Sequence, residues 1–140
     1  MIRKAYAVWN GDLREGSGRI GSESGAFDLK YSFRTRFEDA PGTNPEELIG
    51  AAHAACFSMA LSAELTKDGF SPKRIETTAE VTIEKTGEGF SITRIRLATF
   101  AEVPGISDRD FVRIAEDSKV NCPVSKALAA VSIALEAKLI

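Results

Sequence analysis

The chain has 140 residues, of which 44% are hydrophobic and 27% charged, with a formal net charge of −2. That length fits a single domain over residues 1–140 with an ordinary core. Near-neutral charge without a dense run of Lys or Arg argues against nucleic acid or an anionic membrane as the main partner, and no apolar stretch is expected to reach the roughly 20 residues that span a bilayer.

The opening Met1-Ile2-Arg3-Lys4 lacks the continuous apolar run of a secretory signal. A cytoplasmic location is therefore the default expectation, and there most thiols stay reduced. Residues 2–9 read as a strand, closed by the turn signal Asn10-Gly11-Asp12. Two more strands follow over 17–23 and 27–37. The second alternates Phe27, Leu29, Tyr31, Phe33, Thr35 and Phe37 against Asp28, Lys30, Ser32, Arg34, Arg36 and Glu38. A period of two sustained for eleven residues predicts a strand whose aromatic face is buried. Arg34 and Arg36 then share the opposite, solvated face unless another surface covers it.

Asn44-Pro45-Glu46-Glu47 is a helix start, with an N-cap, a proline at the first helical position and a carboxylate placed for a capping box. The helix is expected to run to about residue 66, before Gly69. From Leu48 to Leu61 it is apolar nearly all round, which predicts a central helix surrounded by protein. Its alanines and Gly50 permit close approach of another backbone, including a second copy of the same helix. Residues 74–83 and 91–103 read as a hairpin joined through Thr86-Gly87-Glu88-Gly89. Ser107 caps a helix over about 108–120, a short helix follows over 123–130, and Val131, Ile133, Leu135, Ala137 and Leu139 make a last strand. The order predicts an α+β fold, with antiparallel sheets packed on a long central helix.

The chemistry centres on two cysteines. Cys56 lies within the long helix and Cys122 opens the short one, in Asn121-Cys122-Pro123-Val124-Ser125. The thiolate is the nucleophile, and a free thiol ionises only near pH 8.5. Cys56 lies twelve residues beyond Asn44, about 18 Å along the axis, where the helix dipole is weak and burial raises the pKa. Cys122, at a helix start, is the easier thiolate on local physics. Spacing alone leaves open which sulfur attacks, and whether both are simply small buried hydrophobes. One His and two Cys do not give zinc-like ligand spacing, so no metal is expected. His53 sits three residues before Cys56, so a Cys–His hydrolase using Cys56 and His53 is an alternative. A redox-responsive dimer that does not turn over is another.

The run from Gly42 to Leu48, the segment Ala-Ala-His-Ala-Ala-Cys-Phe-Ser-Met-Ala ending at Ala60, and Cys122-Pro123-Val124-Ser125 together resemble the OsmC/Ohr family of thiol-dependent peroxidases. Trp9-Asn10-Gly11-Asp12 and Thr35-Arg36-Phe37-Glu38 resemble its OsmC branch. The resemblance implies an OsmC-like fold assembled as an intertwined homodimer with active sites at the subunit interface. It implies Cys56 as the peroxidatic cysteine and Cys122 as the resolving one. Arg36 is then the activator of the thiolate and Glu46 the carboxylate that orients Arg36, with Arg34 the competing assignment for the arginine. The implied substrates are organic hydroperoxides, with hydrogen peroxide used less well. The implied reductant is a small thiol or dithiol, a lipoyl-type dithiol among the candidates, and no cofactor is needed. Glu46 and Cys56 are ten residues apart on one straight helix, about 15 Å, so the implied site needs antiparallel helices from two subunits. Phe33, Phe37, Phe57 and Met59 are candidates to line an apolar substrate pocket, with core packing as the competing role.

Overall fold

Asn44 holds two segments at once. Its Oδ1 accepts from the Glu47 amide at 2.8 Å, capping a long helix, while its Nδ2 donates to the Thr35 carbonyl at 3.1 Å. The computed structural model describes residues 1–140 and separates into two compact units, Met1–Leu48 and Ile49–Ile140.

The first unit is an antiparallel meander of β1 (Ala5–Asn10), β2 (Ser17–Ser22) and β3 (Asp28–Ser32), followed by the short helix α1 (Phe33–Phe37) and the first turn of α2 (Pro45–Lys67). Gly18 lies opposite both Trp9 and Tyr31 in the strand register. A Cβ there would sit 2.5 Å from the Tyr31 ring, and without one the Trp9 and Tyr31 rings meet at 5.4 Å. Tyr6, Val8, Leu13 and Leu29 stay exposed, and no large apolar side chain of this unit is fully buried.

The predicted eleven-residue strand is shorter than its pattern. It ends at Ser32, and residues 33–37 turn into α1. The cause is a capping box. Ser32 Oγ accepts from the Thr35 amide, and Thr35 Oγ1 accepts from the Ser32 amide at 2.9 Å. Local side-chain bonds thus take backbone groups that a sheet ladder would need. Positions 33 and 37 share a face under a period of 2 and also under one of 3.6, so the aromatic pattern survives the change. Their rings pack at 5.0 Å. The row is not the buried sheet face expected, since Leu29 is exposed and the aromatics are half-buried.

The second unit carries the core. From Ile49 onward α2 presents His53, Phe57, Leu61 and Leu65 at spacings of four, all fully buried. The three apolar ones belong with Ile95, Leu97 and Ala101 of β5 (Gly89–Glu102) and Phe111, Ile114 and Ala115 of α3 (Asp108–Asn121). β4 (Arg74–Thr86) pairs antiparallel with β5 through a two-residue turn in which Gly87 takes φ 61°. A bulge beside Thr82 and Ile83 leaves Thr93 without an opposite residue and switches parity, so Ile92 packs on the core side with Ile95 and Leu97. β6 (Ser132–Leu139) pairs parallel to β5, so this sheet is mixed and not wholly antiparallel as expected; the α3–α4 crossover returns the chain in the same direction. The last helix, α4 (Pro123–Ala127), is shorter than the eight residues expected, because Leu128 caps it and the Val131 amide turns back onto the Leu128 carbonyl at 2.9 Å.

Two expectations for α2 need correction. The helix is 23 residues long and apolar enough to cross a bilayer by length and composition, so the chain does contain such a stretch. Its Phe57, Leu61 and Leu65 face belongs to the α/β core, which is the arrangement of a core helix. It is also not enclosed all round. Ala51, Ala52, Ala55, Met59 and Ala63 are exposed, Met59 by 75%.

Candidate active site

Two groups of candidate site side chains are preformed, one in each unit. In the first, the Arg36 guanidinium engages the Glu46 carboxylate through Nη2 at 2.8 Å and Nε at 3.2 Å to the same oxygen, with a third contact of 3.3 Å to the other. Glu46 is nearly buried, with 8% of its side chain exposed, against 38% for Arg36. A forked donor meeting a carboxylate over both oxygens fixes the plane of the guanidinium as well as its position. The ring of Phe37 supports it from below, 5.1 Å from the guanidinium carbon.

Both partners are placed by local chain features. Arg36 lies in α1, which exists because of the Ser32–Thr35 box, and Glu46 lies in the first turn of α2, which Asn44 caps. Glu47 does not complete a reciprocal box with Asn44; its carboxylate takes the Thr43 hydroxyl at 2.9 Å. Arg34 is separated from Arg36 because two residues on a helix point to different sides. It pairs with Glu38 at the surface at 3.2 Å. The competition between the two arginines for Glu46 is therefore decided for Arg36.

Beside this pair lies a cavity of about 250 Å³ lined by Trp9, Tyr31, Phe33, Arg36, Phe37 and Pro45, among others. Of the four apolar candidates, Phe33 and Phe37 line it. Phe57 is core and Met59 is on the exposed face of α2. Trp9 and Tyr31 were not foreseen as lining residues, although the first stands in the Trp-Asn-Gly-Asp turn motif.

In the second unit the sulfurs of Cys56 and Cys122 lie 3.0 Å apart as free thiols. A disulfide of about 2.05 Å requires them to close by roughly 1 Å. Cys122 is fully buried between α3 and α4, capping the end of the first and the start of the second. Cys56 is partly exposed. Burial pushes the Cys56 thiol up, and the adjacent Cys122 sulfur pushes it further, against a pull from the Val124 amide. Burial acts to raise Cys122 also. Hydrogen bonding from Cys56, from the Ser125 amide and hydroxyl and from the Val124 amide outweighs it, so Cys122 lies below the ordinary thiol value. Charge and access thus select different sulfurs: within the unit, ionisation favours Cys122, while only Cys56 can be reached.

His53 does not form a dyad with Cys56. Its Nε2 lies 2.8 Å from Ser125 Oγ, and its Nδ1 is buried with no hydrogen-bond partner. Burial lowers its pKa. The sequence reading gave Ser125 no role, although it closes the Cys122-Pro123-Val124-Ser125 motif and stands at the third position of α4.

Residues 37–136 match the family described as OsmC-like protein, and the match runs across both units. The chain belongs to the OsmC-like family. Peroxiredoxin OsmC of Escherichia coli K12 is 51% identical over 129 residues, covering 91% of this chain and 90% of that protein. An organic hydroperoxide resistance protein of Xanthomonas axonopodis pv. citri is 32% identical over 114 residues, with 79% and 78% covered. Among solved structures, an OsmC-like protein of unknown function from Vibrio cholerae superposes with a TM-score of 0.78 at 16% identity, covering 98% and 99%. The organic hydroperoxide resistance protein OhrB of Bacillus subtilis superposes at 0.73 and 23% identity, covering 98% of each chain. These superpositions establish the OsmC-like fold for the chain.

Proposed function

We propose that the protein is a cysteine-based peroxidase that reduces organic hydroperoxides, and hydrogen peroxide less well, with Cys56 as the peroxidatic and Cys122 as the resolving residue. The observation that carries this reading is the pair of free sulfurs 3.0 Å apart, one reachable and one buried, in a member of this family. Access decides the order. Attack on an O–O bond needs contact between sulfur and peroxide, which buried Cys122 cannot make, whereas the charge that Cys56 lacks can come from a neighbouring guanidinium. Arg36, held by Glu46, is that guanidinium.

The Cys56 thiolate attacks the distal peroxide oxygen. The O–O bond breaks, the alkoxide takes a proton to leave as the alcohol, and Cys56 is left as sulfenic acid. Cys122 displaces hydroxide from that sulfur to form the disulfide, and the hydroxide is protonated to water. A small thiol or dithiol, a lipoyl-type dithiol among them, reduces the disulfide by exchange. This cycle belongs in a reducing compartment such as the cytoplasm. The cavity of Trp9, Tyr31, Phe33 and Phe37 suits an apolar organic group beside Arg36.

The working unit in this reading is a homodimer. Ten residues along the continuous α2 amount to about 15 Å, so Arg36 and Glu46 of one subunit serve Cys56 of the other. The uncovered small-residue face of α2 and the first unit's exposed Tyr6, Val8 and Leu29 support such an assembly, since a three-stranded sheet needs another surface to bury its apolar face. A Cys–His hydrolase is disfavoured because Nε2 of His53 is committed to Ser125.

The test is peroxide consumption with a dithiol present, followed by intact-mass analysis. Cys56→Ser should abolish turnover. Cys122→Ser should allow one round and then stall or over-oxidise to sulfinic acid. Multiple turnovers of cumene hydroperoxide by the parent exclude a dimer that merely responds to oxidation. Sulfenic acid forming in Cys56→Ser and not in Cys122→Ser would reverse the two roles.

A further inference from the structure

Resting on the peroxidase reading above, we propose that His53 is a positioning residue for the resolving step, acting through Ser125 to hold Cys122 ready to close the disulfide.

His53 is fully buried, polar, and bonded through one nitrogen to Ser125 Oγ at 2.8 Å, while Ser125 itself is only 6% exposed. Ser125 is the third residue of α4 and Cys122 its N-cap, with the first turn closed by Lys126 N–H to the Cys122 carbonyl at 3.0 Å. From the third position a short side chain reaches back toward the cap residue. Ser125 therefore joins the imidazole to the first turn of the helix that the resolving cysteine caps.

The orphan nitrogen sets the direction of the chain. An N–H at Nδ1 would be a buried donor with no acceptor, a costly arrangement. The favoured neutral tautomer carries its proton on Nε2 and donates to Ser125 Oγ. In the proposed arrangement the Ser125 hydroxyl hydrogen is then free to turn to the Cys122 sulfur, where it would stabilise the anion. The lowered pKa of Cys122, to which the Ser125 hydroxyl contributes, agrees with this direction. The other charged groups around Ser125 are Lys119 and Lys126, which line a surface cleft with it. Lys119 is paired with Glu116 at 2.6 Å.

The chemical benefit falls on one step. When Cys122 is ionised, its electron pair attacks the sulfur of the Cys56 sulfenic acid. The S–O bond breaks, hydroxide departs and takes a solvent proton as water, and the S–S bond forms. A protonated Cys122 must first lose its proton inside a buried pocket, during which a second peroxide can carry Cys56 on to sulfinic acid.

The experiment uses the Cys56→Ser protein, in which Cys122 is the only cysteine, and follows thiolate absorbance at 240 nm against pH without any peroxide. Ser125→Ala and His53→Leu should each raise the Cys122 pKa by about one unit, the low end for one hydrogen bond to an ionised group. The two together should shift it no further than Ser125→Ala alone, because His53 acts only through the hydroxyl. His53→Gln, which keeps a donor near the Nε2 position, should restore most of the shift, and it also stands in if His53→Leu does not fold. With both cysteines present, the same substitutions should raise the share of sulfinic acid per turnover about tenfold. An unmoved Cys122 titration in Ser125→Ala, or shifts from the two sites that add, overturns the proposal. Because the titration contains no peroxide, its result stands apart from whether Cys56→Ser abolishes turnover.

Discussion

In the proposed mechanism, replacing Glu46 by alanine removes the group that orients Arg36 and leaves the activating charge in place. The substitution deletes three N–H···O contacts of 2.8, 3.2 and 3.3 Å to Arg36. Hydrogen bonds to charged groups are each worth about 1.5–3 kcal/mol. Arg36 is 38% exposed, so water recovers much of this, and the net loss of stability should be about 1–2 kcal/mol. The catalytic effect has another origin. An unrestrained arginine regains about 2 kcal/mol of rotamer entropy. If one rotamer in that spread meets the Cys56 thiolate, the active population falls about 10- to 30-fold. Arg36→Ala removes the charge itself and should cost about a hundredfold, in the range for loss of one group that stabilises developing charge. The double variant should match Arg36→Ala, since an orienting group has nothing left to orient. The assay is kcat/KM for cumene hydroperoxide with a dithiol reductant. A companion titration of Cys56 at 240 nm in the Cys122→Ser protein should show its pKa raised in both variants. A Glu46→Ala protein within twofold of the parent, or losses that multiply in the double variant, refutes the reasoning.

Two further outcomes follow from burial. His53 is held below its ordinary pKa of 6.5, so between that value and its lowered one the unfolded chain binds more protons than the folded one. Stability should be full above pH 6.5 and fall as pH drops below it, and urea midpoints at pH 7.5 and 5.5 measure the change. His53→Gln should shrink that difference; an equal difference in parent and variant would mean that another group sets it. Ala55 lies on the exposed face of α2, so if the proposed homodimer packs through that face the parent should scatter light as a dimer, and Ala55→Glu should convert it to a monomer and lower peroxidase activity with it. A dimer that persists in Ala55→Glu would place the subunit seam elsewhere.

Most elements were legible in the sequence because single, strong signals fixed them. Asn44-Pro45 opened the long helix where expected, Thr86–Gly89 placed the hairpin turn, and Ser107 capped α3 through its side chain at the Asp110 amide. The failure over 27–37 has a specific cause. Positions four apart coincide on one face in a strand and also on one face in a helix, so Phe33 and Phe37 could not tell the two apart. The deciding signal was polar. Ser32 and Thr35, three residues apart, form a box that takes the backbone out of the sheet. The same change explains the arginines. On a strand Arg34 and Arg36 would share a face and a partner. On α1 they diverge, which sends one to Glu38 and the other to Glu46.

The site was harder to read than the fold, because its chemistry depends on what each polar group is bonded to. Nothing in the spacing of His53 and Cys56 distinguishes a catalytic dyad from two residues that happen to share a turn. The structure separates them by giving the imidazole another partner 72 residues away, at Ser125. That contact also alters the meaning of the two thiols. Taken alone, a thiol pair with Cys122 as the easier anion and Cys56 as the accessible sulfur looks contradictory. It becomes coherent if each sulfur is ionised for its own step by its own neighbour, as proposed: Cys56 by a guanidinium when peroxide arrives, and Cys122 by the Ser125 hydroxyl that His53 holds. A thiolate at Cys122 is then no competitor for the peroxide, which cannot reach it, and its negative charge is used only once Cys56 has become an electrophile.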